Sequence, residues 1–472
     1  MRSKAMYRTR RGPLAALIAL TVVLAACGTA GEVDEPDDEP DAEEPDEDGT
    51  DEDDGTDEDA DDGADEGEED GEPAALSGEI TFTTLQLSPT FDGYIEGVIE
   101  AFEAEHPDTT IEWVDVPFEG AQERLLADAS AGTLADVINL NPDLSFPLAV
   151  EGQFVNLDEA AADVRDDYVE GAWDSFRYPG IDGAFGYPWY LSTEVTMYNA
   201  QLLEEAGLDP DAAPETFEEL FETARTVAEN TDVRGLHPAL ENRFVIDLVK
   251  LGVEITNEDA TEATFNTPEA VAHVEQLRSL YEDGAISPDA VTEGHRQEIE
   301  AYQAGEIALF PTGPNFLDII EENAPDIAAE TRVAPQITGP AGVTGMSVMG
   351  LLVPETTENP DLAHAFAQFM TNGENQLAFA EEVLIFPSIV DALDDPMFTD
   401  PDAEDAEFAE AISVAAEQLP QAANLRPVVV DEEFNNAVIS NVQSAILGDV
   451  TAEEALEAAT AEVNDILGRR AG

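Results

Sequence analysis

The sequence contains very little cysteine and very little positive charge. Its 472 residues include a single cysteine, Cys27, and 18 Lys or Arg residues against 106 Asp or Glu residues. A single cysteine excludes an internal disulfide. The shortage of Lys and Arg argues against a nucleic-acid-binding protein, because binding to phosphates depends on basic patches.

Catalytic and metal-binding motifs are also missing. The sequence has no Ser-x-x-Lys, Gly-x-Ser-x-Gly or His-Glu-x-x-His segment, and its five histidines are scattered without the spacing of metal ligands. Carboxylates are numerous enough for a glycoside hydrolase, but no pair of them stands out from the acidic background. We therefore expect a protein that is not an enzyme and that holds no metal or cofactor. A secreted glycoside hydrolase is the enzymatic alternative.

The first 27 residues have the order of an export signal. A basic start precedes the apolar run 13–24, which is too short to span a bilayer comfortably. The next residues, LAACG, resemble the lipobox of bacterial lipoproteins, in which the cysteine is lipidated. We expect residues 1–27 to be a lipoprotein signal peptide and Cys27 to anchor the protein to the outer face of the cell membrane. A generic signal peptide is the alternative, and the Arg10-Arg11 pair leaves the export route open.

Residues 28–76 are dominated by acidic side chains. Between Glu32 and Glu72, 27 of 41 residues are Asp or Glu and none is Lys or Arg. Such a segment cannot bury a core, and its like charges extend the chain. We expect a disordered tether that holds the folded part away from the membrane.

The rest of the chain is acidic as well. It carries 79 acidic and 13 basic residues, a net charge near −66, and Lys250 is its only lysine. Such a surface repels itself at low salt. The composition therefore indicates adaptation to a salty environment, where charges are screened over a few ångströms.

Strand and helix patterns alternate after the acidic segment. They occur in the order 78–85 (strand), 92–105 (helix), 110–116 (strand), 119–131 (helix) and 135–140 (strand). This order predicts an α/β fold with a parallel sheet covered by helices, in which ligands bind beyond the carboxyl ends of the strands. The loops at 86–90 and 141–145 are therefore candidate site positions. Further helices are predicted at 244–251, 270–281, 361–379, 434–447 and 452–467.

The segment 187–199, YPWYLSTEVTMYN, combines an aromatic cluster with strict alternation. Alternation with β-branched and aromatic residues predicts one strand. Aromatic residues around a proline at its entrance indicate the wall of a cleft. An ordinary strand whose aromatic residues belong to the core is the alternative.

Short blocks follow one another in a fixed order along residues 79–467. They are 102–107 (FEAEHP), 131–137 (AGTLADV), Asp182-Gly183 with Tyr187-Pro188 and Tyr198-Asn199, 206–208 (AGL) with 214–217 (PETF), 305–308 (GEIA) with Gly313-Pro314, and 453–456 (EEAL) with Asn464 and Leu467. Together the blocks resemble the extracellular solute-binding proteins of sugar ABC transporters, the group that includes maltose-binding protein.

The resemblance implies a two-lobe periplasmic-binding-protein-like fold of type II. The lobes are then discontinuous, 77–188 with 352–390 and 189–351 with 391–472, and hinge crossings near 187–192, 346–353 and 391–397 join them. It also implies a monomer that captures a mono- or oligosaccharide outside the cell, closes about its hinge and delivers the sugar to ABC transporter permease subunits.

Sugar sites combine aromatic ring faces with planar polar groups for the hydroxyls. The resemblance and the loop positions place the following residues in the site: Gln86, Ser88, Asn141, Asp143, Trp189, Tyr190, Glu241, Asn242, Asn315, Phe316, Ser347, Arg426 and Phe434. We expect Trp189 to stack on the ligand. Core packing is the alternative for Phe434, and pairing with carboxylates is the alternative for Arg426. A cationic or zwitterionic solute such as a polyamine or betaine, held by cation–π contact with Trp189 and Tyr190, is the alternative ligand.

Overall fold

The structure is a computed structural model, and it describes residues 75–399 and 406–470. The expected signal peptide, the lipidation at Cys27 and nearly all of the acidic tether lie outside these residues. Among the helices of the described part, none combines the length and the apolarity needed to cross a membrane.

The strands of the described part form two sheets. They are β1 (Gly78–Leu85), β2 (Thr109–Val116), β3 (Val137–Leu140), β4 (Tyr187–Thr193), β5 (Val195–Asn199), β6 (Arg234–Leu236), β7 (Ile307–Thr312), β8 (Thr331–Pro335), β9 (Thr344–Leu352), β10 (Phe386–Pro387) and β11 (Ala422–Ala423). The larger sheet has the order β10-β4-β9-β3-β1-β2, and β11 pairs with β9. The smaller sheet has the order β6-β7-β5-β8.

The α-helices of the described part cover both sheets. They are α1 (Asp92–Glu105), α2 (Ala121–Ala131), α3 (Pro142–Val150), α4 (Leu157–Ala160), α5 (Glu170–Asp174), α6 (Ala200–Glu205), α7 (Phe217–Asn230), α8 (Leu240–Lys250), α9 (Pro268–Glu282), α10 (His295–Gln303), α11 (Phe316–Asn323), α12 (Pro325–Ala328), α13 (Pro360–Met370), α14 (Gly373–Glu382), α15 (Pro396–Thr399), α16 (Ala406–Gln418), α17 (Glu432–Ile446) and α18 (Ala452–Arg470). Single 3₁₀ turns at Arg165–Asp167, Asp289–Val291, Val390–Asp394 and Leu419–Gln421 complete the helical part.

The first part of the larger sheet has the predicted parallel arrangement. Strand β1 pairs in parallel with β2, with Gly78 opposite Thr109, and with β3, with Phe82 opposite Val137. The connecting helix α1 has its predicted bounds and buries the apolar stripe that contains Phe102. Local periodicity is therefore enough to explain this β-α-β-α-β unit.

Helix α7 begins with the reciprocal pair of hydrogen bonds that the sequence suggests. The Thr216 hydroxyl accepts a bond from the Glu219 backbone N–H at 3.3 Å, and the Glu219 carboxylate accepts one from the Thr216 backbone N–H at 3.2 Å. This capping box satisfies backbone donors that the first turn leaves without partners. Thr451 and Glu454 repeat the arrangement at the start of α18.

The segment 187–199 is two strands, not the single strand that its alternation predicts. Strand β4 pairs antiparallel with β9 in the larger sheet, whereas β5 pairs antiparallel with β7 and β8 in the smaller sheet. Glu194 lies between the two strands. The side-chain alternation continues through the break, but the pairing partners change, so the chain passes here from one sheet to the other. The lobe boundaries proposed from the sequence stay a prediction.

The helix predicted at 361–379 is also divided. Helix α13 ends at Met370 and α14 begins at Gly373. The Asn372 side chain between them accepts a hydrogen bond from the Asn375 backbone N–H at 2.8 Å, which is an N-cap contact for α14. The apolar periodicity hides this break because both helices bury a face against the same core.

Three clusters of buried apolar side chains stabilise the described part. One packs the larger sheet and α13 around Phe82, Trp189 and Phe366. A second packs the helices of the smaller sheet around residues such as Phe244 and Phe434. The third contains side chains of both sheets, among them those of Leu191 from β4 and Met197 from β5. The apolar core is therefore continuous where the chain passes between the sheets.

Candidate functional site

A cavity of about 420 Å³ is lined by residues of both sheets. Its volume lies in the range of ligand pockets, about 300 to 1,000 Å³. Seven of the predicted site residues border it, namely Asn141, Asp143, Asn242, Asn315, Phe316, Ser347 and Arg426. The structure brings these residues together from five separate stretches of the chain.

The larger sheet contributes the start of α3, which follows β3. Asn141 is the N-cap, and its side-chain oxygen accepts a hydrogen bond from the Leu144 backbone N–H at 2.9 Å. Asp143 lies in the first turn of α3 and opens to the cavity. The walls of the cavity displace water from the Asp143 carboxylate and raise its pKa, and the nearby Arg426 guanidinium partly offsets this rise. The expected position beyond the end of a parallel strand is thus occupied by a helix N-terminus with polar side chains.

The smaller sheet contributes the turn that follows β7. Thr312 and Gly313 lead into Asn315 and Phe316 at the start of α11, and all four residues line the cavity. The ring of Phe316 is half-buried and meets the His295 ring edge-on, with 5.2 Å between their centroids. This wall therefore presents an amide and an aromatic ring side by side.

The strands that connect the sheets form the floor of the cavity. Thr193 donates a hydrogen bond to the Gly345 carbonyl at 2.7 Å, and the Gln336 amide group donates to the same carbonyl at 3.0 Å. The Gln336 side-chain oxygen accepts a bond from the Gly345 N–H at 2.7 Å, and the Gln336 amide nitrogen donates to the Thr193 hydroxyl at 3.1 Å. We call the residues Thr193, Gln336 and Gly345 the hinge brace. The brace joins the end of β4 to the residue that follows β8 and to the start of β9.

A buried ion pair supports the floor from behind. The Arg243 guanidinium lies 2.9 Å from both carboxylate oxygens of Glu298, whose side chain is fully buried, and it also donates to the Pro311 carbonyl. Burial alone lowers the pKa of Arg243, but the Glu298 and Glu194 carboxylates raise it, and the net direction is upward. Arg243 therefore stays charged, and its Nε atom lies 3.7 Å from the Glu194 carboxylate at the edge of the cavity.

The aromatic residues Trp189, Tyr190 and Phe434 do not line the cavity, which corrects the expectation for them. Trp189 is fully buried in the core of the larger sheet, where its ring stacks on Phe379 at 5.5 Å and meets Phe82 edge-on at 6.3 Å. Tyr190 packs edge-on against the same Phe379 ring at 5.4 Å. Phe434 is fully buried among the helices of the smaller sheet. Trp189 and Phe434 therefore serve the core, and the half-buried Tyr190 packs against it.

Three polar residues of the predicted set also lie outside the cavity. Gln86 and Ser88 are exposed after β1, and β3 separates β1 from the strand β9 that borders the cavity. Glu241 is exposed on α8 and lines a different surface depression with Glu433. Successive helix residues point in different directions, so Asn242 faces the cavity and Glu241 does not.

Several cavity residues are not in the predicted set. They are Ser192, Thr193, Glu194, Lys250, His295, Thr312, Gln336, Met346, Leu384, Phe386 and Asn424, among others. One of them carries a signal that the sequence already offers, since Lys250 is the only lysine of the acidic body. The others come together only through the pairing of distant strands.

Comparison with known proteins places this geometry among binding proteins. The family model described as bacterial extracellular solute-binding protein matches residues 88–377. A solved structure of a putative oligosaccharide periplasmic-binding protein from Synechococcus sp. MITs9220 is 30% identical, with a TM-score of 0.72 over 83% of this chain and 99% of that one.

Curated relatives agree with this placement. A putative binding protein of Brucella abortus is 27% identical over 58% of this chain, and the match spans 66% of that relative's length. An arabinooligosaccharide-binding protein of Halalkalibacterium halodurans is 24% identical over 69% of this chain and 76% of that protein.

Proposed function

Because this chain belongs to the bacterial extracellular solute-binding protein family, we propose that it is the substrate-binding component of an ABC importer for a saccharide. Its fold is the type II periplasmic-binding-protein fold of the maltose-binding-protein kind, as expected from the sequence. In the proposed role the protein captures a mono- or oligosaccharide outside the cell and delivers it to permease subunits in the membrane. The observation that carries the proposal is the polar cavity lined from both sheets.

The chemistry of the cavity suits a saccharide. Besides Gln336 of the hinge brace, four amide side chains border it, those of Asn141, Asn242, Asn315 and Asn424, and an amide can both donate and accept hydrogen bonds with hydroxyl groups. The rings of Phe316 and Phe386 supply apolar surface for the C–H side of a sugar. Relatives that are named for oligosaccharides support the same class of ligand.

The charge of the cavity does not favour the cationic alternative. Two acidic residues, Asp143 and Glu194, and two residues with basic side chains, Lys250 and Arg426, line the cavity together with His295. This balance contrasts with 79 acidic and 13 basic residues in the body of the chain. Of the aromatic pair expected to hold a quaternary amine, Trp189 is fully buried and Tyr190 packs against the same core, and neither ring lines the cavity. A polyamine or betaine would therefore find neither excess negative charge nor that aromatic cage.

The position of the hinge brace supports closure around the ligand. Strand β4 and the segment before β9 both pass from one sheet to the other beside the cavity floor. Hinge motions use a few residues at the ends of elements. We place the pivot of closure at these connections, and we place the protein outside the cytoplasm, anchored through lipidated Cys27.

A thermal-shift screen against neutral and acidic mono- and oligosaccharides, run in molar salt, tests the proposal. A ligand that binds only the native state stabilises it by about 2.7 kcal/mol at one hundred times its Kd. Asn242→Ala should reduce the shift, because Asn242 lines the cavity. Glu241→Ala is the matched control, since it changes the next residue of α8 outside the cavity. Equal responses of the two variants, or no response of the wild type to any saccharide, would contradict the proposed function.

A further inference from the structure

Lys250 is an unusual residue in this protein. It is the only lysine of the body of the chain, it ends α8, and only 4% of the residue is exposed. It borders the ligand cavity on one side and a smaller cavity of about 40 Å³ on the other. A buried ammonium group is costly unless an anion or hydrogen-bond acceptors surround it.

The two carboxylates that act electrostatically on Lys250, those of Glu194 and Asp247, lie near the side-chain nitrogens of other residues. Glu194 lies 3.7 Å from Nε of Arg243, and Asp247 lies 3.6 Å from Nε2 of His273. Within residues 75–399 and 406–470, no carboxylate oxygen lies within the 4.0 Å of an ion pair from the Lys250 ammonium, and its Nζ atom makes no hydrogen bond. Burial lowers the pKa of Lys250, and Glu194 and Asp247 act in the opposite direction from a greater distance.

A second cation borders the same cavity from a different element. Arg426 uses Nε and Nη2 to donate to the Val430 carbonyl, at 3.3 and 3.1 Å. Its other amino group, Nη1, forms no hydrogen bond within the described residues. The Arg426 guanidinium also attracts the carboxylate of the cavity residue Asp143. Cationic N–H groups therefore remain available on two sides of the cavity, in a protein that otherwise has few basic residues.

We propose that the Lys250 ammonium binds an acidic group of the ligand, so that the captured solute is a saccharide with a carboxylate or phosphate group. This inference rests on the proposed function, because it assumes that the cavity takes a saccharide. The hydroxyl groups of a neutral sugar would solvate the ammonium but would leave it without an anion in contact. An anionic oxygen supplies both the charge and the hydrogen-bond acceptor that Lys250 lacks. Lys250 is then the specificity-determining residue, and the amides position the rest of the sugar.

The test compares matched probes by calorimetric titration in molar salt. Oligosaccharides of uronic acids, their methyl esters, the neutral oligosaccharides of the same linkage and sugar phosphates are titrated into the wild type. The methyl ester keeps the size of the uronate and removes its charge. We expect the acid form to bind at least about 30-fold more tightly than the ester, the loss expected when one partner of a buried charge pair is removed. The uronate and phosphate arms show which acidic group is taken.

Two variants assign the preference to Lys250. Lys250→Met should remove the difference between acid and ester, and Lys250→Gln should do the same while keeping a polar end. Arg124→Met is the control for net charge, because Arg124 is an exposed residue of α2. A thermal melt of each variant without ligand checks that it is folded.

The outcomes separate this inference from the proposed function. Tighter binding of the acid that depends on Lys250 supports both. Binding of neutral sugars with equal or greater affinity, or an acid preference that survives Lys250→Met, overturns the role of Lys250 and leaves the saccharide function standing. No binding of any saccharide overturns both.

Discussion

Replacement of Trp189 by alanine should reduce the stability of the protein and leave its ligand affinity unchanged. The indole is fully buried and contacts the rings of Phe82, Tyr190 and Phe379, with centroid distances of 6.3, 5.2 and 5.5 Å. It does not border the cavity. The variant therefore distinguishes a core residue from the ligand-stacking residue that the sequence suggests.

The size of the effect follows from burial. An aromatic side chain buries about 150 to 250 Å², and removal of a buried Trp or Phe side chain to Ala costs about 3 to 5 kcal/mol of unfolding free energy. The stability of a folded protein is only about 5 to 15 kcal/mol, so the loss is a large fraction of the total. Trp189→Phe should cost less, because a smaller ring can keep part of the stacking on Phe379.

The assay combines urea unfolding in molar salt with calorimetric titration of the best saccharide from the screen. Phe118→Ala is the control, because Phe118 is 51% exposed and its loss should change stability by less than about 0.5 kcal/mol. A Trp189→Ala variant with nearly wild-type stability but strongly weakened binding would refute the reasoning. In that case the ring would have to face the ligand.

Three further predictions concern the anchor, salt and pH. Cys27→Ser should move the protein from the membrane fraction to the medium, and persistence in the membrane would locate the anchor elsewhere. The melting temperature should rise from low to molar salt because screening relieves the repulsion of a body with net charge near −66, and a flat curve would contradict the halophilic interpretation. Burial lowers the pKa of His237 and His364, so near pH 6.5 the unfolded state binds more protons than the folded state and stability falls as pH drops. The fall from about pH 7.5 to about pH 5.5 should be smaller for the His237→Gln/His364→Gln variant, whereas an equal fall would assign it to other groups.

Local signals predict the first part of the fold well. Helix α1 has its predicted bounds because residues close together in the sequence determine both its apolar stripe and its end before Pro107. The break at Glu194 was not predicted, because the alternation of 187–199 is uninterrupted and only the change of partner strand divides it. The break between α13 and α14 was in principle visible, since Asn372-Gly373 is a typical helix boundary.

The candidate-site residues show the same difference between local signals and long-range contacts. Asn141 and Asp143 were predicted from the general rule that ligands bind beyond the ends of parallel strands, and both line the cavity. Trp189 and Phe434 lie in the core and not at the cavity, because a large aromatic side chain suits a core as well as a sugar. Gln336 carries no distinguishing local pattern, and its role in the hinge brace depends on contacts with residues far away in the sequence.

The apolar cluster that contains both Leu191 and Met197 has a consequence for how the protein unfolds. Two lobes with separate cores would melt independently, each at its own temperature. Here neither sheet can lose its packing at the connection without exposing apolar side chains of the other. The described body should therefore melt as one cooperative unit, and a ligand in the cavity would raise the melting temperature of both sheets together.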